Sequence, residues 1–557
     1  MASYGYTRVH DEDGDGAPEI PRMRPYFGIT GDRLSGWVTV ACTTAMILFG
    51  YDQGVFGGII ITPDFLETMG NPNPSLQGAI VALYDIGCLF GALAAMVIGE
   101  RLGRKKTFLV GVVVMSLGAL MQTSAYTVGQ MIVARIITGL GNGQNQYCNG
   151  ASLAERNMQA VMAREARCLR DDVCSSSINL HSNSYLLRSM NIAGFALSNW
   201  MTYGFSFTEG SASWRFPIAF QLFFSVVLFA TIPWLPESPR WLLMHGFETE
   251  GVAVLAALHG EDATPEDEAV IDQKMEILEA VRMENDASPS WSDILHLRTG
   301  ETGMVQRLLL GAGAQLMQQG VGINVTSYYL PLVLQNSVGL SNNLSRLLAA
   351  CNSISYLLFA FFGLVLIERA GRRKMMIWGA MGQAVCYAFI SYCLAHAEDK
   401  RYGIASTFFF FSYYLFFGIC WQGVPWLYPV EINSLAMRTK GAALATAANW
   451  LSNYVVVEIT PPGIASMGWR FYLIWMFFNV LFVPVVWLFY PETANRHLED
   501  IDYLYRENPR MVVVVRNKEA IQLERPQRFI EAELRRAARD GHVVVQGVTD
   551  VELRKRT

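Results

Sequence analysis

Charged side chains are scarce in this 557-residue chain, where they make up 16% of the residues against about 25% in an ordinary soluble domain. The nine cysteines form no Cys-x-x-Cys pair and no spacing typical of a metal site. The sequence also contains no nucleophile paired with a base, no glycine-rich phosphate loop on a soluble domain and no basic stripe. These absences argue against an enzyme, against a bound metal or cofactor and against a nucleic-acid partner.

Long apolar runs dominate the chain instead. Hydrophobic residues make up 52% of it, and about 20 mostly apolar residues suffice for a helix to cross a bilayer. The sequence therefore predicts an all-α membrane protein with twelve transmembrane helices, at about 37–59, 76–99, 107–126, 128–147, 191–207, 214–235, 308–332, 346–367, 375–397, 404–428, 439–459 and 470–490.

A short charged sequence occurs twice, each time between two of these runs. Glu-Arg-Leu-Gly-Arg-Lys-Lys at 100–106 returns as Glu-Arg-Ala-Gly-Arg-Arg-Lys at 368–374. Two copies at corresponding places indicate that the chain was built from two related halves. Paired membrane-embedded halves are typical of secondary transporters, so we expect two pseudo-symmetric six-helix bundles.

Basic loops set the expected orientation in the membrane. Lys and Arg concentrate in cytoplasmic loops, so we expect both repeats, both termini and a polar insert between the bundles to be cytoplasmic. We expect no cleavable signal peptide, since the first residues are polar and acidic. Apolar residues at roughly helical spacing in the insert predict amphipathic helices under the bundle, namely Ile271, Met275, Ile277, Leu278 and Val281. The predicted segments are a tail (1–33), an N-terminal bundle (34–235), a linker (236–302), a C-terminal bundle (303–490) and a second tail (491–557).

Short motifs follow one another at the ends of the apolar runs: Gly50-Tyr51-Asp52, the two Glu-Arg-x-Gly-Arg loops, Pro-Glu-Ser-Pro-Arg-Trp-Leu at 236–242, Gln-Gln-Gly-Val-Gly-Ile-Asn at 318–324, Tyr328-Tyr329, Pro425-Trp426, Glu431, Arg438, Asn449-Trp450 and Pro491-Glu492-Thr493. Together they resemble the sugar porter branch of the major facilitator superfamily, over about residues 27–505, and are similar to fungal hexose and quinate-type permeases. The resemblance implies a secondary active transporter that moves a monosaccharide across the plasma membrane by alternating access, as a proton symporter. A sugar-sensing receptor of the same fold and a quinate or polyol permease are the alternatives.

Amide side chains cluster in the seventh apolar run. A sugar presents many hydroxyl groups, and amides both donate and accept hydrogen bonds. On one regular helix Gln319 and Asn324 would lie about 140° apart, so Gly320 and Gly322 between them predict a break that re-aims Asn324. Polar groups in hydrocarbon are costly, and we therefore interpret these two amides and Gln318 as lining a substrate cavity. The alternative is that they only join helices.

The resemblance adds further residues to the predicted sugar site. It implies that Trp426 of the tenth run, with Asn449 and Asn453 of the eleventh, binds sugar hydroxyls together with the three amides. It also implies that Tyr328 and Tyr329 form an outer gate. For the two tyrosines, an aromatic belt at the membrane interface is the alternative.

One carboxylate, Asp52, lies about fifteen residues into the first apolar run. An ionised carboxylate is expensive there unless it is paired, and Arg135 in the fourth run is the evident partner. Proton-coupled sugar porters resemble this pairing, in which the acid releases its proton as the arginine approaches. We predict that the pair links sugar movement to a proton gradient; a static structural ion pair is the alternative.

A second set of charges lies at the predicted cytoplasmic ends of the runs. The resemblance implies that these residues form interdomain salt bridges that close the inner side in the outward-open state. Anchoring by the positive-inside rule is the alternative, and it accounts for the arginines but not for the glutamates. The set comprises Glu100, Arg101, Arg104, Glu237, Arg240, Glu368, Arg369, Arg372, Glu431, Arg438 and Glu492.

Residues 144–190 do not fit the resemblance. The family has a Thr-Ala-x-x-Pro-x-x-x-x-Glu segment here, whereas this chain carries charged, soluble sequence. Codons permitted for 146–157, read one base later, encode Asn-Thr-Ala-Thr-Ala-Pro-Val-Trp-Gln-Ser-Glu-Thr, which matches the missing segment. We therefore interpret the region as a gene-model error in which 173–188 is translated intron. A genuine lineage-specific loop is the alternative.

Overall fold

The structure is a computed structural model that describes residues 29–146, 178–260, 263–287, 303–434, 437–496, 498–508 and 512–531. Within these ranges the chain forms helices and turns and no β-strand, which confirms the all-α prediction for them. Most of the predicted tails and of the anomalous region 144–190 lies outside the described residues.

The described residues of the N-terminal half, 31–146 and 178–234, form helices joined by short turns. Local signals fix their starts: Pro74 opens the third helix, and the Asn73 side chain accepts a hydrogen bond of 2.8 Å from the Leu76 N–H. The helices are α1 (Gly31–Ile59), α2 (Pro63–Thr68), α3 (Pro74–Leu102), α4 (Arg104–Thr123), α5 (128–146), α6 (Ile178–Phe205), α7 (Ala212–Ala219) and α8 (Gln221–Thr231).

The described part of the linker forms α9 (Pro239–Met244), α10 (Glu248–His259) and α11 (Glu268–Ala287). Helices α9 and α10 pack against the N-terminal half, and α11 packs against α9 and α10. Trp241 and Leu242 are buried with Leu34 at the start of α1. The predicted buried face of α11 was partly wrong, because Ile271 and Met275 are 45% and 59% exposed. Its packed face is formed by Val270, Gln273, Ile277, Leu278 and Val281, which recur at three- and four-residue spacing.

The C-terminal half, residues 304–489, also consists of helices, and two of its predicted runs are broken. A π-helical turn, Phe417–Trp421, separates two of the helices. The helices are α12 (Met304–Gly320), α13 (Ile323–Ser327), α14 (Leu330–Asn336), α15 (Asn342–Ala370), α16 (Arg372–Ala395), α17 (Lys400–Phe416), α18 (Val424–Ile432), α19 (Arg438–Met467) and α20 (Phe471–Phe489).

The C-terminal segment folds back onto the C-terminal half. It forms α21 (Leu498–Glu507), α22 (Lys518–Ile521) and α23 (527–531). The Glu492 N–H donates to the Ala520 carbonyl at 2.8 Å, and Arg525 pairs with Asp500 at 2.6 Å. Asp502 of α21 pairs with Arg307 of α12 at 2.5 Å, so the described part of this tail is docked on the half that precedes it.

Eight helical stretches among the described residues are long and apolar enough to cross a membrane. The longest, Arg438–Phe489, spans 52 residues and covers the eleventh and twelfth predicted runs. Helices α5, α6 and the broken series α12 to α14 correspond to the predicted runs that are not among the eight. The chain is thus a helical membrane protein that crosses the bilayer several times.

The most extensive contacts between the halves are those of α3 with α19 and of α6 with α15. A Cβ atom on Gly78 of α3 would lie 2.7 Å from the Glu458 carbonyl oxygen of α19, so only glycine allows these backbones to approach so closely. Further along α3, the Tyr84 ring meets the Trp450 ring of α19 edge to face, with centroids 6.4 Å apart. The polar residues described next lie along this junction.

Candidate functional site

The seventh predicted run breaks where its two glycines lie. Helix α12 ends at Gly320 and α13 begins at Ile323, with Gly322 at a φ of +89°. Hydroxyl and amide groups of neighbouring helices hold the carbonyls of the break: Tyr387 donates to the Gly322 oxygen at 2.8 Å, and Tyr413 and Asn479 donate to the Val321 oxygen at 3.1 Å each. An irregular backbone survives in the membrane only when its polar groups are satisfied in this way. The predicted break is therefore present.

Two prolines in α18 leave two backbone carbonyl oxygens without their helical hydrogen bonds. Glutamine side chains of α12 donate hydrogen bonds to these oxygens instead. Pro425 has no N–H for the Trp421 carbonyl four residues earlier, and the Gln318 side chain donates to that oxygen at 2.9 Å. Pro429 likewise leaves the Pro425 carbonyl free, and the Gln315 side chain donates to it at 2.9 Å. Helices α12 and α18 are thereby held side by side with both glutamine side chains buried.

Amide side chains of α12, α13 and α19 form two hydrogen-bonded groups that include three asparagines. The Asn324 amide donates to the Gln319 oxygen at 2.8 Å and to the Asn453 oxygen at 2.6 Å. One turn earlier in α19, the Asn449 amide donates to the oxygens of Gln315 and Gln318 at 2.7 and 3.1 Å. The break thus brings Gln319 and Asn324 together, as predicted. Five of the six predicted sugar-binding residues lie in these two groups, with Gln319, Asn324 and Asn453 in one and Gln318 and Asn449 in the other.

The remaining residues of the predicted sugar site and outer gate are Trp426, Tyr328 and Tyr329, which lie in α18 and between α13 and α14. Trp426 is half-buried in α18, one turn after Gln422. Tyr328 is buried between α13 and α14, and its carbonyl lies against Gly57 of α1. Tyr329 is fully buried, and its hydroxyl donates to the Val457 carbonyl of α19 at 3.1 Å. Both tyrosines are therefore packed inside the protein, which argues against an aromatic belt facing the interface.

The predicted charge pair is present in the N-terminal half. Asp52 in α1 and Arg135 in α5 are 0% and 1% exposed, and their closest atoms, Oδ1 and Nη1, are 3.4 Å apart. Arg135 also donates to the carbonyls of Ile80 and Val81 at 3.3 and 3.2 Å. Its guanidinium lies over the ring of Tyr84, 4.4 Å from the centroid. Carbonyls and a tyrosine ring of α3 therefore hold the Arg135 side chain in place, and the Asp52 carboxylate of α1 contacts it through one oxygen.

Sequence reasoning missed two residues that belong to this junction. Gln315 lies three residues before Gln318 on the same helix, so the amide cluster could have been extended by one position. Asp85 lies in the middle of the predicted run 76–99 and is fully buried in α3. A carboxylate inside an apolar run is the same signal that identified Asp52. The Asn453 amide donates to the Asp85 carboxylate at 3.0 Å and so links the two halves.

The charged ends of the C-terminal half form a compact ion network. Arg372 pairs with Glu431 at 2.8 Å and with Glu368 at 3.1 Å. The Glu492 carboxylate accepts hydrogen bonds from the backbone N–H groups of Arg372 and Arg373, at 2.8 and 3.2 Å. Glu492 therefore caps the first turn of α16, where unpaired N–H groups and the helix dipole favour a carboxylate.

The N-terminal half repeats this cap. Glu237 accepts from the backbone N–H groups of Arg104 and Lys105, at 2.8 and 3.1 Å. Gly103 and Gly371, the centres of the two repeats, have φ values of +87° and +82°, which favour glycine. The contacts described here lie within one half each. Arg240 and Arg438 are half-buried at this end, and the side chains of Glu100, Arg101 and Arg369 are exposed.

At the end of the bundle opposite the repeats, hydrogen bonds cross between the halves. The Asn342 amide of α15 donates to the Ile61 carbonyl at 2.9 Å. One turn on, Arg346 donates to the Thr62 hydroxyl at 2.8 Å. The end of α1 is thus closed against the C-terminal half at this side.

The chain matches the family model described as sugar (and other) transporter over residues 37–161 and 183–505. The unmatched interval 162–182 falls inside the anomalous region 144–190. The chain is 47% identical to the MFS-type transporter oryC of Aspergillus oryzae, over 92% of this chain and 94% of that protein. It is 33% identical to the sugar transporter STL1 of Saccharomyces cerevisiae, over 86% of this chain and 83% of that protein.

Among solved structures, the proton:xylose symporter XylE bound to 6-bromo-6-deoxy-D-glucose resembles the fold, with a TM-score of 0.68 at 22% identity. The similarity covers 84% of this chain and 98% of that chain. The family model and these two relatives are transporters and not enzymes. The chain is a member of the sugar porter family of the major facilitator superfamily.

Proposed function

We propose that this protein is a secondary active transporter that moves a monosaccharide across the plasma membrane by alternating access, in symport with a proton. The observation that carries the proposal is the buried junction itself. Five amides of the C-terminal half lie on α12, α13 and α19, and one of them, Asn453, donates to Asp85 of the N-terminal half, which also holds the buried Asp52–Arg135 pair. Amides suit a solute rich in hydroxyl groups, and a carboxylate that alternates between protonated and paired states suits proton coupling.

The proposal includes twelve membrane-spanning segments in two six-helix bundles, with the repeat-bearing end and both termini in the cytoplasm. The eight long apolar helices support it, as do the helical segments at the remaining predicted runs. The positive-inside rule supports the orientation, because both basic repeats lie at one end. In this orientation the linker helices and the docked C-terminal segment are cytoplasmic.

Alternating access requires two arrangements of the halves. In the present arrangement, Asn342 and Arg346 join the halves at the proposed outer end. The Arg372–Glu431 pair at the proposed inner end lies within the C-terminal half. We propose that the inner charges exchange partners across the halves when the outer contacts open, as in other two-state switches.

The test is uptake of labelled glucose and xylose by yeast that lacks its own hexose carriers and expresses this protein. The proposal predicts saturable uptake, accumulation above the outside concentration, and loss of that accumulation on addition of a protonophore. Uptake that only equilibrates would reject proton symport and leave facilitated diffusion. Inhibition by quinate but not by unlabelled sugars would instead favour an acid permease, and signalling without uptake would favour a receptor.

A further inference from the structure

Asp85 is a buried carboxylate that the proposed coupling pair does not use. It lies in the middle of α3 with 0% exposure. Its Oδ1 accepts one hydrogen bond, from the Asn453 amide of α19 at 3.0 Å. Its Oδ2 is buried and has no hydrogen-bond partner. An unpaired buried carboxylate oxygen is costly, so its persistence calls for a donor that enters from outside the protein.

The charges around Asp85 do not supply this donor. The nearby cation is Arg135, which already pairs with Asp52. The Arg135 guanidinium also donates to the carbonyls of Ile80 and Val81, and the Asp85 Oδ2 accepts no hydrogen bond from it. With both acids ionised, the three side chains carry one net negative charge. A neutral hydroxyl donor is therefore favoured at Asp85, and an anionic group is disfavoured.

The position of Asp85 connects it to the amide network. Asn453 accepts from Asn324 and donates to Asp85, so a ligand that engages the Asn324 and Asn453 amides lies within reach of the carboxylate. The Trp450 ring next to Asn453 packs against Tyr84 of α3, and the Trp450 indole N–H is buried without a partner. A hydroxyl group can donate and accept at once, so it can satisfy an unpaired acceptor and an unpaired donor together.

We infer that Asp85 contacts the substrate: its Oδ2 accepts a hydrogen bond from one hydroxyl of a neutral polyhydroxylated solute whose other hydroxyls the C-terminal amides hold. The inference rests on the proposed function and deepens it. It gives the N-terminal half a direct contact with the solute, and it makes Asp85 a determinant of specificity for neutral polyols over sugar acids and cyclic hydroxy acids.

The primary test is a scan of competing ligands in the yeast uptake assay, with the full chain. Labelled glucose is the transported substrate, and glucose, each monodeoxy-glucose and quinate are added in turn as unlabelled competitors. The assay is run on the unaltered protein and on the variants Asp85→Asn, Asp85→Glu and Cys88→Ser. The last is the matched control, because Cys88 is fully buried one turn along the same helix. The unaltered protein should discriminate against one deoxy-sugar by about 10-fold or more.

Asp85→Asn should lose that discrimination and raise the KM for glucose about 10-fold, since the amide nitrogen cannot accept the hydroxyl proton. It should also strengthen inhibition by quinate, because the negative charge is gone. Asp85→Glu should keep part of the discrimination, and Cys88→Ser should keep all of it. An Asp85→Asn profile parallel to that of the unaltered protein, with every deoxy-sugar discriminated equally, would overturn the inference and leave Asp85 a structural link.

A second measurement needs no variant. In membranes holding the unaltered protein, a hydrophobic carbodiimide reacts with buried carboxyl groups, and mass spectrometry locates the modified residue. Glucose should slow modification of Asp85 several-fold, and equal modification with and without sugar would reject the contact. Failure of the unaltered protein to take up any polyhydroxylated solute would reject the proposed function itself, whereas uptake with an unprotected Asp85 rejects only this inference.

Discussion

The two halves of this protein bring different chemistry to the surface they share. The N-terminal half contributes charge: the Asp52–Arg135 pair and the lone Asp85 are all buried there. The C-terminal half contributes neutral amides, held by a broken helix and by carbonyls that two prolines leave free. The Asn453 to Asp85 hydrogen bond is where the two kinds of group meet. We infer that the N-terminal half binds the proton and supplies one carboxylate contact to the solute, whereas the amides of the C-terminal half bind the other hydroxyl groups.

The halves also differ in how completely they match their family. The family match runs without interruption through the C-terminal half and is interrupted at 162–182 in the N-terminal half. At the charged end the halves are alike, because Glu237 and Glu492 cap corresponding helices. The structural repeat is therefore intact, and the interruption is local.

The largest effect should come from the interrupted region. If 144–190 is a gene-model error, the sequenced transcript should lack the bases for 173–188 and read 146–157 in the shifted frame. The protein from that transcript should transport, and the chain as written should not. Sequencing the message and measuring uptake by both proteins checks this. A transcript that contains all of these bases in frame would establish the region as a genuine insertion.

Removing the cation from the N-terminal half should cost the most stability. Arg135→Ala leaves Asp52 buried without its partner, which destabilises a protein by about 3–5 kcal/mol. The double variant Arg135→Ala with Asp52→Asn should recover much of this loss, since no charge remains unpaired. Thermal unfolding in detergent measures both. Equal stability of the single variant and the unaltered protein would mean that the pair contributes no folding energy.

Removing the acid of the pair should uncouple transport from the proton. One charge moved across 100 mV is worth about 2.3 kcal/mol, or roughly 50-fold accumulation. Asp52→Asn should lose this accumulation and keep exchange of labelled for unlabelled sugar. Glu67→Gln, which changes an exposed acid in α2, is the control and should accumulate normally. Full accumulation by Asp52→Asn would assign coupling to another group.

On the C-terminal side, truncating one amide should weaken sugar affinity. Gln318→Ala removes donors to Trp421 and an acceptor for Asn449, and an unsatisfied buried group costs about 1–3 kcal/mol. We expect the KM for the sugar to rise about 10- to 100-fold. Gln122→Ala is the matched control, because Gln122 is equally buried but lies within the N-terminal half against Thr138. Equal effects of both variants would mean that the Gln318 amide is scaffolding.

The smallest effect should come from the helix caps, where the halves are most alike. Glu237→Ala and Glu492→Ala each remove a carboxylate from the first turn of a helix, a loss of about 1 kcal/mol. Similar shifts in unfolding temperature would support equivalent roles in the two repeats. A large loss for one variant alone would show that its half depends on the charged end more strongly.

Much of the fold follows from the sequence because its signals are local. Length and apolarity identify the helices, and Gly320 with Gly322 identifies the break in the seventh run. The Asp52–Arg135 pair was found because two opposite charges in hydrocarbon have few other partners. The role of the prolines in α18 was not foreseen, since it depends on which side chain of α12 faces each free carbonyl.

Other features depend on contacts between distant residues, which composition and spacing do not encode. The caps join Glu237 to residues 104–105 and Glu492 to residues 372–373. The motifs containing these glutamates suggested ion pairs across the halves instead. Asp85 carried a signal in the sequence, but its importance appears only when Asn453, far along the chain, is placed beside it. The buried face of α11 was predicted wrongly because apolar residues lie on two neighbouring faces of this helix. Only the face that contains Val270 and Ile277 is packed, and Ile271 and Met275 are exposed.

The central claim is that the amides buried between the halves bind a hydroxyl-rich solute. Equilibrium binding of labelled glucose to the purified protein in lipid nanodiscs tests it most directly, with Asn324→Ala plus Asn449→Ala as the variant and Gln122→Ala as the control. The account predicts saturable binding that the double variant loses and the control retains. Absence of binding by the unaltered protein, for glucose, xylose and neutral polyols alike, would contradict it.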